Sequence, residues 1–181
     1  FGNFLIKRVV AKLSQEFLGL KNFATLSPIV NYRRWLTEQL ASDAPGLLTQ
    51  FEQKALALQC DRLGIDIKLC NLLEFPKWSQ DPQICEFLQP LLTRLAARYL
   101  SEEKRHNQRA MDPVAHFHLT NGAQIEQLNW LADQSVKGMR QSYGIMVNYL
   151  YQLNRIESNS AAYIEHREAT TSNAVRALLQ N

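Results

Sequence analysis

Apolar residues recur every three or four positions along most of the chain, the spacing that gathers them on one face of an α-helix. The first such segment contains Phe4, Val9 and Leu13, and Gly19 is predicted to end it. Later segments repeat the pattern, so we expect a mostly helical protein. These later predicted helices cover residues 32–40, 49–63, 84–100 and 163–179.

One short segment near the N-terminus departs from the helical spacing. Residues 23–29 alternate in part between apolar and polar, and Pro28 interrupts them. Proline has no N–H to donate to a strand ladder, so the pattern predicts a strand that ends there. Ser27 would lie at the end of this strand, where a hydroxyl often serves a site. Serine before proline is also typical of a plain turn or helix cap, and the local pattern favours that interpretation.

A second departure lies in the C-terminal half. Residues 114–119 alternate in strand fashion and are followed by Asn121 and Gly122. Asn-Gly favours a two-residue hairpin turn, because both central residues of that turn need a positive φ. Residues 123–130 would then form the returning strand, with His116 and His118 on one face. Residues 131–151 are predicted to return to helix.

Composition limits the class of protein. The 181 residues are 46% hydrophobic and 20% charged, which is ordinary for a soluble globular domain. No apolar run approaches the roughly 20 residues needed to span a bilayer. The net charge of +3 is too small to argue for nucleic acid. The three cysteines lack close spacing, which favours buried thiols in a reducing compartment over a disulfide or metal framework.

The histidine pair suggests two kinds of chemistry without deciding between them. His116 and His118 on one strand face could ligate zinc, but no third ligand lies at a familiar spacing. Either histidine could instead act as a general acid or base near neutral pH. From the pattern alone, a structural role is slightly favoured for each histidine. Gly2, ahead of the first helix, could admit a phosphate to the helix N-terminus, or could be a turn residue.

Long motifs stand out in both ends of the chain. They are PVAHFHLTNGA at 113–123, LNWLADQSVKG at 128–138, QSYGIMVNYLY at 141–151, FLIKRVV at 4–10 and LSPI at 26–29. The first three resemble the C-terminal catalytic region of the malonyl-CoA decarboxylases, and the last two resemble that family's upstream segments in the same order. Residues 42–107 match that family only in helical character.

The resemblance implies a fold and a domain organisation. It implies an α+β fold, the C-terminal portion of a GNAT-like acyl-CoA domain, spanning residues 1–181 with a helical insertion at about residues 42–108. A family glutamate would fall immediately before Phe1. We therefore expect an upstream segment or a second chain to complete the domain, and a homo-oligomer is expected as well.

The resemblance also assigns residues. It places the family's catalytic serine at Ser27, its catalytic histidine at His118 and an active-site tyrosine at Tyr151, and leaves His116 without a catalytic part. The substrate-binding positions implied near the thioester and the CoA pyrophosphate are Asn121, Gly122 and Gly2.

The implied activity is decarboxylation of malonyl-CoA to acetyl-CoA and CO2 by a Ser/His site without metal or other cofactor. The alternatives are a GNAT-type acyl transfer from acyl-CoA to an amine or carrier protein, and a non-catalytic helical module. The module would bind an acidic partner through Arg33, Arg34, Lys104 and Arg105. We expect no nucleic-acid or membrane partner, and a cytoplasmic location, or the mitochondrial matrix in a eukaryote.

Overall fold

A three-stranded antiparallel sheet lies among helices in the computed structural model, which describes residues 2–180 except for the side chains of 2–5 and 7. The strands are β1 (Phe23–Pro28), β2 (Gln124–Asn129) and β3 (Met146–Tyr151), in the spatial order β1-β3-β2. β3 is therefore the central strand and pairs with both neighbours. The observed class, mostly helical with a small sheet, confirms the sequence prediction at that level, while the GNAT topology stays a prediction.

Nine α-helices account for most of the described residues. They are α1 (Gly2–Glu16), α2 (Tyr32–Ala41), α3 (Gln50–Leu63), α4 (Leu69–Glu74), α5 (Pro82–Ser101), α6 (Pro113–Thr120), α7 (Val136–Ser142), α8 (Ile156–His166) and α9 (Asn173–Leu179), with a short 3₁₀-helix at Trp78–Gln80.

α5 runs through the middle of the core. Asp81 caps it by accepting hydrogen bonds from two backbone N–H groups, and Pro82 occupies the first turn, where its missing N–H costs nothing. Ten of its residues are buried. Tyr99 on α5 packs against Tyr32 and Trp35 of α2, with ring centroids 5.7 and 5.3 Å apart. These contacts join the helical half of the chain to the end of β1.

Several predicted elements are confirmed with small shifts at their ends. α1, α2, α3 and β1 lie where the spacing placed them. α3 shows why the prediction succeeds. Thr49 and Glu52 form a capping box at its start, and Gly64 ends it with φ +65°. These are local signals that act within a few residues of the chain.

The predicted hairpin at Asn121-Gly122 is wrong. Residues 113–120 form α6, so His116 and His118 lie on different sides of a helix rather than on one strand face. Asn121 has φ −84°, which excludes the expected turn, and Gly122 alone has a positive φ of +81°. Asp112-Pro113 is a typical helix start, and a glycine with positive φ is a typical helix end. The sequence therefore contained signals for both ends of α6.

Two further predictions fail in the C-terminal third. Residues 146–151 form β3 instead of continuing a helix, because a central strand covered on both faces shows no polar alternation. The predicted helix at 163–179 is two helices, α8 and α9, separated by residues 167–172. Arg167 ends α8 with φ +59°, and Ser172 caps the start of α9.

The register of the sheet collects polar groups on one face. Ser27 lies opposite Val147, Thr25 opposite Tyr149, and Phe23 opposite Tyr151. Directly opposed residues project to the same side of an antiparallel pair. One face of the sheet therefore presents a serine, a threonine and two tyrosines, and α6 lies against it.

Candidate active site

Ser27 and His118, 91 residues apart in the chain, meet in the interior. Ser27 Oγ lies 3.4 Å from His118 Nε2, and each residue is only 7% exposed. The distance is at the long end of a hydrogen bond. Such contacts are often long in unliganded sites and shorten when substrate binds.

The helix start holds His118 in position. Asp112 Oδ1 accepts hydrogen bonds from Val114 N at 2.7 Å and Ala115 N at 2.8 Å. This cap fixes the first turn of α6, and His118 follows in its second turn. Its imidazole then reaches the sheet face between Ser27 and Tyr151.

Tyr151 holds the other nitrogen of the same imidazole. Its hydroxyl lies 2.7 Å from His118 Nδ1, and this is its only hydrogen bond within residues 2–180. A buried O–H needs an acceptor, so Tyr151 donates to Nδ1. The proton of the neutral ring then sits on Nε2 and points toward Ser27.

His118 is neutral at physiological pH. Burial lowers the pKa of His118 to about 4, because the imidazolium would lose its hydration. Burial likewise raises the pKa of the Tyr151 hydroxyl above its usual value. Tyr151 therefore stays a protonated phenol and donates the hydrogen bond, and His118 stays a neutral imidazole that accepts it at Nδ1.

Two further side chains complete this cluster. The ring of Tyr149 stacks on the His118 imidazole, with centroids 4.2 Å apart and planes inclined by 18°. The Tyr149 hydroxyl is buried and has no hydrogen-bond partner among the described residues. On the other side, Thr25 Oγ1 lies 3.0 Å from Ser27 Oγ. The hydroxyls of Thr25 and Ser27, the imidazole of His118 and the phenol of Tyr151 thus form one continuous series of hydrogen-bond contacts, called here the Thr25–Ser27–His118–Tyr151 line.

The implied substrate-binding residues lie close to this line in sequence but have other contacts. Asn121 is fully buried, and its Nδ2 donates to Phe117 O at 2.7 Å, while its Oδ1 is unpaired. Gly122 packs so closely against Ile156 that an added Cβ would lie 2.0 Å from a backbone oxygen. Gly2 begins α1, and Phe1 lies outside the described residues. Binding by these three residues stays a prediction.

His116 lies on the opposite side of α6. Its Nδ1 is 2.8 Å from the Tyr163 hydroxyl, which accepts a hydrogen bond from Ala110 N. It makes no hydrogen bond to Ser27 or Tyr151 within residues 2–180. The zinc arrangement considered from the sequence needed both histidines on one strand face, and the helix separates them. The described residues contain no group of three or more His, Cys, Asp or Glu placed to hold a metal.

Sequence reasoning missed Asp112, Tyr149 and Thr25. Asp112 carried a usable signal, since Asp followed by Pro is typical of a helix N-terminus. Tyr149 and Thr25 carried none, because only the strand register brings them opposite each other. No helix of the described part of the chain is long and apolar enough to cross a membrane.

Comparison with known proteins identifies the family of this chain. The family model described as the malonyl-CoA decarboxylase C-terminal domain matches residues 1–181. Mitochondrial malonyl-CoA decarboxylase of Rattus norvegicus is 38% identical over 98% of this chain, and that of Anser anser anser is 37% identical over 96%. The chain spans 37% and 35% of the lengths of these two relatives.

Solved structures agree. The malonyl-CoA decarboxylase of Rhodopseudomonas palustris superposes with a TM-score of 0.83 at 39% identity, covering 97% of this chain and 37% of that one. That of Agrobacterium vitis also gives 0.83, at 41% identity, covering 99% of this chain and 40% of that one. The chain belongs to the malonyl-CoA decarboxylase C-terminal domain family.

Proposed function

We propose that this chain carries the Ser/His part of a site that decarboxylates malonyl-CoA to acetyl-CoA and CO2. The observation that supports it most is the buried line from Ser27 through His118 to Tyr151, with contacts of 3.4 and 2.7 Å. The family's name suggests the substrate, and the side chains of this line can donate hydrogen bonds and protons to it.

The reaction needs three things from the protein. The bond between the methylene carbon and the carboxylate breaks, its electron pair enters the thioester as an enolate, and CO2 leaves. The site must take the carboxylate out of water, stabilise the enolate oxygen, and return a proton to the methylene carbon. Each aligned donor to such an oxyanion contributes about 3–4 kcal/mol.

Ser27 and His118 are the proposed donors. With Tyr151 donating to Nδ1, the Nε2–H of His118 faces Ser27. The neutral imidazole acts as a preorganised hydrogen-bond donor that needs no added proton. Because the sheet face and α6 bury it, this donor is stronger than it would be in water.

Protonation of the enolate carbon can follow the same line. A proton passes from Ser27 Oγ to the carbon, Nε2 of His118 replaces it, and Nδ1 takes the Tyr151 proton. Water then reprotonates the phenolate. The enolate carbon is a far stronger base than a phenolate, so the transfer is downhill, and the line requires neither a metal nor an organic cofactor.

The CoA end of the substrate would lie at the start of α1. Gly2 is the first residue of this 15-residue helix. The N-terminus of a helix has free N–H groups and a partial positive charge, which suit a pyrophosphate. Residues beyond this chain, in the same protein or another copy, would complete the pocket. A mitochondrial location is what the names of the rat and goose relatives suggest.

The test is His118→Asn in the intact protein, with CO2 release from malonyl-CoA as the measurement. We expect the turnover number to fall by a hundredfold or more, because both the donor and the proton path are lost. His116→Asn is the matched control, since it changes the same residue type on the opposite side of α6. Near-normal turnover by His118→Asn, or equal loss in the two variants, would contradict the proposal.

A further inference from the structure

Asp112 connects the two elements that carry the reacting residues. Its Oδ1 caps α6, and its Oδ2 accepts a 2.7 Å hydrogen bond from Val30 N, three residues after Ser27. The carboxylate is fully buried. Val30 is held from its other side as well, because its carbonyl oxygen accepts from Tyr99 OH at 2.8 Å.

Among the described residues, this connection is the shorter of two direct hydrogen bonds between the β1 end of the site and α6. Within residues 2–180, two hydrogen bonds join residues 23–30 to residues 112–120. One is the contact of Ser27 with His118, and the other is Val30 with Asp112. The first is already 3.4 Å long, so a shift of a few tenths of an ångström between β1 and α6 would remove it. The second is short and charge-assisted, and it can resist that shift.

We infer that Asp112 is a positioning residue, whose carboxylate fixes the separation of Ser27 and His118 by tying the end of β1 to the start of α6. It touches neither Ser27 nor His118 and takes no proton from substrate. The inference rests on the proposed function, since it concerns the rate of the same reaction. It predicts that catalysis depends on the Oδ2 contact separately from the helix cap.

Asparagine separates these two contributions. In Asp112→Asn the amide oxygen can still accept from Val114 N and Ala115 N. The amide nitrogen then faces Val30 N, donor against donor, and the tie is lost. We expect the turnover number to fall at least tenfold with the KM for malonyl-CoA changed less than twofold, because misplaced reacting groups lower the rate more than binding.

The pH profile gives a second measurement. Burial raises the pKa of Asp112 to about 6, and it does so against the hydrogen bonds from the N–H groups of Ala115, Val30 and Val114 and against the charge of Arg105. Tyr99 and Tyr149 also face the carboxylate. Below pH 6 the protonated carboxyl no longer holds both sets of N–H groups. His118, with a pKa near 4, stays neutral there. The wild-type turnover number should fall between pH 7 and 5, and that of Asp112→Asn should be flat.

The controls separate this inference from general loss of stability and from failure of the proposed function. Ser135→Ala removes the cap of α7, where Ser135 Oγ accepts from Gly138 N, and should leave turnover unchanged. His118→Asn reports whether the site is used at all. The positioning role is wrong if His118→Asn is inactive while Asp112→Asn keeps the wild-type turnover number. It is also wrong if the turnover number of Asp112→Asn still falls between pH 7 and 5. If His118→Asn is active, the proposed function fails first.

Discussion

At the scale of single residues, the site is a set of neutral, buried groups whose hydrogen bonds determine one tautomer. Tyr151 has one acceptor among the described residues, so the His118 proton is placed on Nε2. Tyr149 contributes through its ring and not through its hydroxyl, which is unpaired. The stacked ring limits rotation of the imidazole and excludes water from it. This division of roles can be tested on Tyr149.

Tyr149→Phe keeps the ring and removes the unpaired hydroxyl, whereas Tyr149→Leu removes the ring. We expect Tyr149→Phe to retain turnover and to gain as much as about 1–3 kcal/mol in free energy of unfolding, the cost of an unsatisfied buried group. Tyr149→Leu should lose turnover by roughly tenfold or more, because the imidazole is no longer held. Steady-state assays and urea unfolding of both variants provide the measurement. Equal loss of turnover would instead assign the function to the hydroxyl.

At the scale of elements, α6 is positioned from both ends. Asp112 fixes its start, and residues at its end pack on α8. Ser160 Oγ donates to Thr120 O at 2.7 Å, and Asn159 Nδ2 donates to Gly122 O at 3.2 Å. The close approach of Gly122 to Ile156 leaves no room for a side chain. The end of α6 is therefore set by a tertiary contact as well as by local turn chemistry.

Two glycines with positive φ distinguish these causes. Gly64 has φ +65° with no atom near an added Cβ, and Gly122 has φ +81° with a backbone oxygen 2.0 Å away. Gly64→Ala should cost about 1–2 kcal/mol of unfolding free energy for the left-handed backbone alone. Gly122→Ala should cost about 2–5 kcal/mol, since overpacking adds to the same strain. Thermal or urea unfolding measures both, and equal costs would show that packing on α8 contributes nothing.

At the scale of the whole molecule, two buried groups shift the stability in opposite directions with pH. The folded pKa of Asp112 is raised to about 6 from 3.8, so its contribution is present below pH 3.8 and lost as pH rises through 6. The folded pKa of His118 is lowered to about 4 from 6.5, so its contribution is present above pH 6.5 and lost as pH falls through 4. Each amounts to about 3 kcal/mol, and the two nearly cancel between pH 4 and 6.

Single substitutions should expose the two slopes. The free energy of unfolding of Asp112→Asn should decrease as pH falls from 6.5 to 4, because the titration of His118 is no longer offset by that of Asp112. The free energy of unfolding of His118→Asn should increase as pH falls from 6 to 4, because the titration of Asp112 is no longer offset by that of His118. Urea titrations at four pH values in this interval measure the slopes. Slopes of the same sign in the two variants would exclude this account.

Local chemistry in the sequence determined the elements whose signals lie within a few residues. α3 follows from its capping box and Gly64, and β1 from its alternation and Pro28. The long motifs also identified the family. The roles that they assign to Ser27, His118 and Tyr151 stay predictions. Caps, turns and motifs are properties of neighbouring residues, so a sequence can state them.

Only the tertiary structure decided what depends on partners far along the chain. Residues 146–151 are a strand because β1 and β2 pair with them on both sides, and residues 113–120 are a helix packed against that sheet. The pairing of Ser27 with His118, the stack of Tyr149 and the tie from Asp112 to Val30 follow from this packing. The physical reason is that burial and strand register are set between elements, so the same apolar run can be helix or strand until its neighbours are in place.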